Sequence, residues 1–440
     1  MQVLVIGVGH VGLVTAAALA RWGHQVIGFD IDEVAIAKLS SGDVTFFEPD
    51  LPELVGEGLA AGRLSFTTDI GSALSNAEVA FVCVGTPPLQ GGGPDLSYVE
   101  AVGRQVAEFA TGDLVLVEKS TVPANTSRRL AQSIAREQQR VGSTANVDVA
   151  SNPEFLREGA AVQDTLHPDR IVYGTASDLA RDALREVYRT VVREDGCPVV
   201  ETDVQSAELI KHASNAFLAT RISFINAVAQ ISERVGADVR DIAHGMGLDT
   251  RIGPAFLDAG IGYGGSCFPK DVDAFAFLAR QVGYEFGLLD EVRKINVEQR
   301  DLVIRKLEGE LWHFEAKIIT ILGAAFKPGT DDLREAPAMY LARQLLELGA
   351  EVRIYDPVAL HNVALELPEV DRYDDPLDAC KEAHAVIVTT EWPDVAQLTA
   401  TDLREVLAYP IVIDGRNVYD PQTFIDEGIR YHSIGRLSVD

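Results

Sequence analysis

The opening thirty residues narrow the folding options more than anything later in the chain. An apolar strand, Val3–Ile6, runs straight into Gly7-Val8-Gly9-His10-Val11-Gly12, followed by a helix pattern over Leu13–Trp22 and a second strand over Gln25–Asp30. Each glycine has its own reason. The first permits the tight turn, the second lets a backbone come close to a pyrophosphate, and the third lets helix and strand pack together. The helix N-terminus adds N–H groups and the positive end of a dipole. Asp30 closes the second strand, and two uses are open to it. It accepts hydroxyls of an adenosine ribose, which favours NAD over NADP, or it caps a helix opening near Asp32.

Further apolar strands at Val79–Val84 and Leu114–Glu118 alternate with helical patterns, the signature of a parallel sheet covered by helices. The theme starts again near Lys317. Ile318–Leu322 ends in Gly323-Ala324-Ala325, a helix pattern runs over 336–348 to Gly349, and strands follow at Glu351–Tyr355, Ala385–Thr389 and Ile411–Asp414. Between the two, apolar residues recur at helical spacing through Leu209, Phe217, Ile222, Ile225 and Val228. The fold class expected is α/β: two Rossmann-like, doubly wound parallel-sheet domains joined by a central helical segment. The boundaries expected are 1–202, 203–308 and 309–440, and 440 residues are too many for one core.

Composition removes several classes of function. A net charge of −28 repels nucleic acid and anionic lipid, so neither is expected as a partner. Any anionic ligand then needs Lys and Arg gathered locally. No apolar run is long enough for a membrane span. The chain enters a strand pattern at once with no basic leader before it, so a cytoplasmic location is expected. The four cysteines, Cys83, Cys197, Cys267 and Cys380, form no close pair, which argues against a disulfide framework or a metal site.

Several segments carry chemistry. Cys83-Val84-Gly85-Thr86-Pro87 and Ser120-Thr121-Val122-Pro123 follow strands, where an open α/β sheet binds ligands. The Thr86 and Thr121 hydroxyls suit a ribose or a reacting water, while Cys83 reads as a small buried hydrophobe. The stretch Gly260–Asp271 packs glycines around Cys267, with Lys270 and Asp271 just after it. It reads either as a nucleophile loop or as a flexible loop with a buried thiol. Glu154 and Glu158 lie four apart, as do Lys211 and Asn215. On helices, each pair is either a solvated face or a set aimed into a cleft, where lysine and asparagine would hold a developing oxyanion.

Taken in order, these segments resemble the UDP-glucose/GDP-mannose dehydrogenase family over nearly the whole chain. The matching motifs are the glycine turn, C-V-G-T-P, K-S-T-V-P, N-P-E-F-L-R-E-G, P-D-R-I-V-x-G, K-x-x-x-N, the G-x-G-Y-G-G-S-C-F-P-K-D loop, F-K-P-G-T-D-D-x-R-E-A-P and D-G-R-N. The resemblance implies a four-electron oxidation of a nucleotide sugar, UDP-glucose in the first place, with NAD as the cofactor. It implies Cys267 as the nucleophile of a thiohemiacetal and thioester, Lys211 and Asn215 at the oxyanions, Lys211 also as a candidate base, Asp271 and Thr121 on the water, and Glu154 as acid/base.

Gly7, Gly9, Val11, Gly12, Asp30, Thr86, Thr121, Glu158, Lys270 and Arg334 match cofactor-contacting positions. Substrate contacts map to Glu154, Phe155, Leu156, Arg157, Glu158, Lys211 and Asn215, and to Arg251, Phe256, Leu257, Gly260, Tyr263, Gly264, Lys327 and Arg416. Arg251 is expected to reach a neighbouring subunit, so a homodimer is implied. The chain departs from the family pattern at Ala35, where a lysine is common, and at Thr45, where proline is common. It departs again at Asp50 and at Ala124-Asn125, which stand in place of glycine and of Pro-Gly. Two alternatives remain: the same chemistry on GDP-mannose or a UDP-N-acetylhexosamine, and a catalytically silent nucleotide-sugar sensor, which would be expected to lack Cys267, Lys211 or Asp271.

Overall fold

The computed structural model describes residues 1–89 and 93–436. The chain forms two compact units, one of residues 1–214 and 273–283, the other of 215–272 and 284–440. The stretch 203–308 is therefore shared between them.

The first unit holds strands β1 (Gln2–Ile6), β2 (Gln25–Phe29), β3 (Leu64–Thr67), β4 (Val79–Val82), β5 (Asp113–Glu118), β6 (Asn146–Ser151), β7 (Ile171–Gly174) and β8 (Val199–Thr202). They form one sheet in the order β3-β2-β1-β4-β5-β6-β7-β8. Pairing is parallel throughout except between β6 and β7, so β7 and β8 run against the rest. Both faces are covered. Val3 and Val5 enter one apolar cluster, and Leu4 and Ile6 enter the other. That is why β1 reads as an unbroken apolar run rather than an alternation. The helix after the glycine turn spans His10–Arg21, and Gly12 through Ala20 are all buried. Small residues there let it lie close on the sheet.

The second unit repeats the plan with β9 (Ile318–Leu322), β10 (Glu351–Tyr355), β11 (Asp371–Tyr373), β12 (Ala385–Val388), β13 (Ile411–Asp414) and β14 (Arg430–His432). All its pairs are parallel, in the order β11-β10-β9-β12-β13-β14. One core joins this sheet to Ile225, Ala229, Leu257, Ile261 and Val303. The doubly wound expectation is met in both sheets. The longest helix, Val204–Val235, begins in the first unit and ends in the second. Among the described residues no helix is long and apolar enough to cross a membrane.

Candidate active site

In the first unit the candidate residues collect where β1, β2, β4, β5 and β6 end. Gly7 has φ of 89°, and a Cβ there would lie 2.7 Å from the Cys83 carbonyl oxygen. A Cβ on Gly12 would lie 1.8 Å from the Gly7 carbonyl oxygen, whereas one on Gly9 would meet nothing within 4 Å. The outer glycines are thus fixed by packing, and the middle one faces open space, as a turn that admits a pyrophosphate requires. NAD fits this turn.

Of the two uses open to Asp30, the helix cap falls to another residue. The Asp30 Oδ2 accepts the Val8 N–H at 3.0 Å and its Oδ1 the Asp32 N–H at 3.2 Å, while the cap of the helix Glu33–Ser40 is Asp32 itself. Asp30 is half-buried and braces the glycine turn, with acceptor capacity left for ribose hydroxyls. Thr86 and Thr121 are brought together: the Thr86 hydroxyl donates to the Thr121 carbonyl at 3.1 Å. Burial pushes the Cys83 thiol up to about 12, in keeping with a packing role.

The helical reading of Glu154 and Glu158 fails. Residues 152–157 form neither helix nor strand. Asn152 precedes Pro153, which disfavours helical backbone. The Asn152 side chain is also tied to the Val172 carbonyl at 2.7 Å and to Lys119 Nζ at 2.9 Å. Glu154 instead accepts the Leu156 N–H at 2.8 Å and pairs with Lys211 Nζ at 2.8 Å. Both side chains of this ion pair are buried, at 7% and 4% exposure, so the solvated-face alternative is excluded for Glu154 and Lys211. Glu158 is buried as well. Phe155 lies under Arg170, whose guanidinium carbon is 4.0 Å from the ring centroid, and Leu156 is half-buried. Arg157 points outward into a two-point pair with Asp164.

In the second unit Asn215 Nδ2 donates to Asp271 Oδ2 at 2.6 Å, and Lys270 Nζ lies 3.0 Å from Asp271 Oδ1. Asn215 and Asp271 are buried. Cys267 directly precedes the helix Phe268–Gln281, at the end where backbone N–H groups favour an anion, and its Sγ lies 3.4 Å from Ser266 Oγ. The glycine loop before it is held rather than flexible. Gly260 N–H donates to Asn226 Oδ1, its carbonyl accepts from Gln299, and both backbone groups of Tyr263 bond Asn296. A Cβ on Gly264 would lie 2.3 Å from the Glu335 carbonyl oxygen, so close backbone approach explains the glycine.

Arg416 spends its guanidinium on the carbonyls of Thr389 at 2.7 Å and Phe326 at 3.0 Å, which marks it as an organiser of these loops. Lys327 Nζ lies over the Phe326 ring at 5.4 Å, and Arg334 pairs with Asp332. Leu257 is buried in the core, Phe256 is half-buried, and Arg251 is 86% exposed beside Asp249. Asn226, Asn296 and Gln299 were not singled out by the sequence. The signal available was polar residues at the buried spacing of a helix, Asn296-x-x-Gln299 on Gly287–Leu311.

Three family models match in order: the NAD binding domain of the UDP-glucose/GDP-mannose dehydrogenase family over residues 1–192, its central domain over 205–298, and its UDP binding domain over 320–421. The chain belongs to the UDP-glucose/GDP-mannose dehydrogenase family. It is similar to UDP-glucose 6-dehydrogenase YwqF of Bacillus subtilis, at 42% identity over 440 residues covering 100% of this chain and 98% of that one. Among solved structures it is similar to a UDP-glucose dehydrogenase from Pyrobaculum islandicum, with TM-score 0.91, 36% identity and coverage of 99% and 97%. It also resembles a UDP-D-ManNAc dehydrogenase from Pyrococcus horikoshii, with TM-score 0.87 and 28% identity over the full length of both chains.

Two departures from the family pattern have a backbone reason. Asp50 and Asn125, which stand where glycine is common, have φ of 65° and 74°. Asp and Asn tolerate this left-handed region better than other side chains.

Proposed function

We propose that this chain oxidises UDP-glucose to UDP-glucuronate, with release of two NADH per sugar. NAD supplies the hydride acceptor for each of the two oxidations. Cys267 adds to the C6 aldehyde as a thiolate, forming a C–S bond and a thiohemiacetal whose oxygen takes up a proton. Loss of the second hydride and of that proton leaves a thioester. Water adds to its carbonyl, the C–S bond breaks, and the thiolate and a carboxylic acid result. Covalent capture holds the aldehyde while NADH is exchanged.

The buried ion pair of Lys211 and Glu154 carries this reading. A lysine held at 2.8 Å from a buried carboxylate suits a group that stabilises an oxyanion and passes a proton. Asn215 and Asp271, with Thr121, are assigned to the oxyanion and the water. Arg334 and Lys270 are assigned to the cofactor, and Lys327, Tyr263 and Arg416 to the substrate and its loops. In this reading the three parts 1–202, 203–308 and 309–440 bind cofactor, link and bind the UDP-sugar. The 42% and 36% identities to proteins named for UDP-glucose, against 28% to one named for UDP-D-ManNAc, favour glucose.

A homodimer belongs to the same proposal. Phe217, Phe224 and Ile231, spaced by seven on one helix, are 62%, 52% and 58% exposed. Such an apolar stripe suits a second copy, and Arg251 would cross to it. Phe224→Asp is expected to give a monomer by light scattering. The four cysteines, none in a disulfide, support a reducing, cytoplasmic compartment.

The deciding experiment is the count of NADH per UDP-glucose, by absorbance, in the wild type and in Cys267→Ser. Two NADH per sugar in the wild type, with the mutant blocked short of full turnover, is expected. One NADH per sugar with aldehyde released would overturn the cysteine assignment. Turnover of GDP-mannose or a UDP-N-acetylhexosamine, but not UDP-glucose, would replace the substrate, and no turnover of any of them would leave a silent sensor.

A further inference from the structure

We infer that Glu208 is a positioning residue for this reaction: from the helix that carries Lys211, its carboxylate fixes the loop that carries Thr121. The inference rests on the role proposed above for Thr121. All of these groups belong to the first unit.

The loop runs from the end of β5 at Glu118 to the helix Thr126–Val141, and residues 119–125 have no regular structure of their own. That helix lacks a side-chain cap from its own cap residue, Asn125, which sits at φ 74°. Uncapped N–H groups at a buried helix start need acceptors. Glu208 supplies them from a different element. Its Oε2 accepts the Asn125 N–H at 2.6 Å, and its Oε1 accepts the Ser127 N–H at 2.9 Å and the Ser127 hydroxyl at 2.7 Å. The residue is only 3% exposed, so water does not compete for these bonds.

One turn further along, His212 Nε2 donates to the Val122 carbonyl at 2.8 Å. At the other end of the loop the Glu118 carboxyl accepts the Ser120 N–H at 3.0 Å. Thr121 is thus bracketed by contacts on both sides. Three residues after Glu208 comes Lys211, paired with Glu154. The separation between Thr121 and Lys211 is therefore set by one rigid helix that grips the loop at one turn and offers the lysine at the next. A bare structural cap would need only stability from Glu208. A positioning residue must share its kinetic effect with Thr121.

The test uses the full-length enzyme with UDP-glucose and NAD, comparing Glu208→Gln, Thr121→Ala and the double variant. The glutamine side chain keeps the volume but turns an NH2 toward backbone N–H groups. The expected result is a fall in kcat of about 10-fold or more with KM for UDP-glucose changed less than about 3-fold, the signature of an interaction that matters after binding. An acyl adduct on Cys267 should accumulate in intact-protein mass spectra. The double variant should be slower than Thr121→Ala by no more than about 2-fold, because the two share one effect. Should Glu208→Gln fail to fold, Ser127→Ala removes one of the three bonds and is expected to lower kcat about 3-fold at unchanged KM. Wild-type turnover in whichever of these folds, or additive losses without an adduct, would overturn the inference. Wild-type turnover in Thr121→Ala would instead overturn the role of Thr121 itself.

Discussion

The two sheets share a strand order at their centres, yet the acids at their strand ends are used in opposite ways. Asp356, just after β10, accepts five N–H groups: those of Ala324, Ala325, Val358 and Ala359 and the indole of Trp392. Asp30, in the same place after β2, accepts two. Asp414, ending β13, accepts from Arg416, Tyr419 and Tyr431. Among the described residues Glu118, ending the equivalent strand β5, accepts from Ser120 alone, and its Oε2 has no partner. The turns differ in the same sense. Gly9 faces open space, whereas its counterpart Ala325 is buried. One sheet end has spent its polar capacity on its own backbone; the other has left some unspent, buried at Glu118 and within reach of a ligand at half-buried Asp30. A shared topology thus does not give a shared site.

The largest expected effect comes from breaking the saturated acid. Asp356→Asn turns an amide NH2 toward buried N–H groups, and each bond to a charged acceptor is worth about 1.5–3 kcal/mol. A loss on the order of 3 kcal/mol is expected, read as a fall in melting temperature of about 6–12 °C. A change within about 2 °C would show that the comparison is wrong on the second sheet.

Asp30→Ala and Gly9→Ala probe the open end. Gly9 has φ of −70°, which alanine adopts without strain. Gly9→Ala should fold with stability within about 1 kcal/mol of wild type and Asp30→Ala, which strips the acceptor from the Val8 N–H, with a loss of about 1–2 kcal/mol, yet both should bind NAD about 10–100-fold more weakly in titrations, equivalent to about 1.4–2.7 kcal/mol. Asp30→Ala should also raise turnover with NADP relative to NAD, since the repelling charge is gone. Equal affinity for NAD would remove the contrast between the two turns.

Much of this contrast lay beyond the reach of the sequence, for a physical reason. The glycine turn and β1 were legible because spacing alone dictates them. Lys211 and Asn215 were legible as neighbours on one helix because its spacing is regular, though each finds a different partner, Glu154 and Asp271. Asp356, Glu118 and Glu208 were not, since a lone acid at the end of a strand or on a helix reads as solvated until the fold buries it. The extended path of 152–157 was hidden likewise, because the tie from Asn152 to Val172 spans two strands. The division of 203–308 between two units depends on which contacts form, and periodicity along one helix does not encode that.

Glu118 sharpens the comparison through pH. Burial pushes its carboxyl from 4.5 up to about 8. The folded chain then keeps a proton that the unfolded chain releases above 4.5, so this group's contribution to stability is full below 4.5 and fades as pH rises toward about 8. Glu118→Gln has nothing to ionise. Its melting temperature should equal that of wild type near pH 4 and exceed it at pH 8 by a few degrees. A gain that is the same at both pH values would mean that the carboxyl is ionised in the fold.

The smallest effect concerns two asparagines with left-handed backbone. Asn417, at φ 55° in the second unit, has its side chain bonded to Ala259, to the Ile434 carbonyl and to the Ile434 N–H. Asn125, at φ 74° in the first, is fixed through its backbone N–H by Glu208. Asn125→Gly should therefore change stability by no more than about 0.5 kcal/mol, because relief of the left-handed strain offsets the added freedom of glycine in the unfolded chain. Asn125→Ala, with the strain kept and asparagine's tolerance of it lost, should cost about 1 kcal/mol. If Asn125→Gly loses as much as Asn125→Ala in denaturant titrations, the asparagine side chain is needed in its own right, and the first unit is as closely self-bonded there as the second.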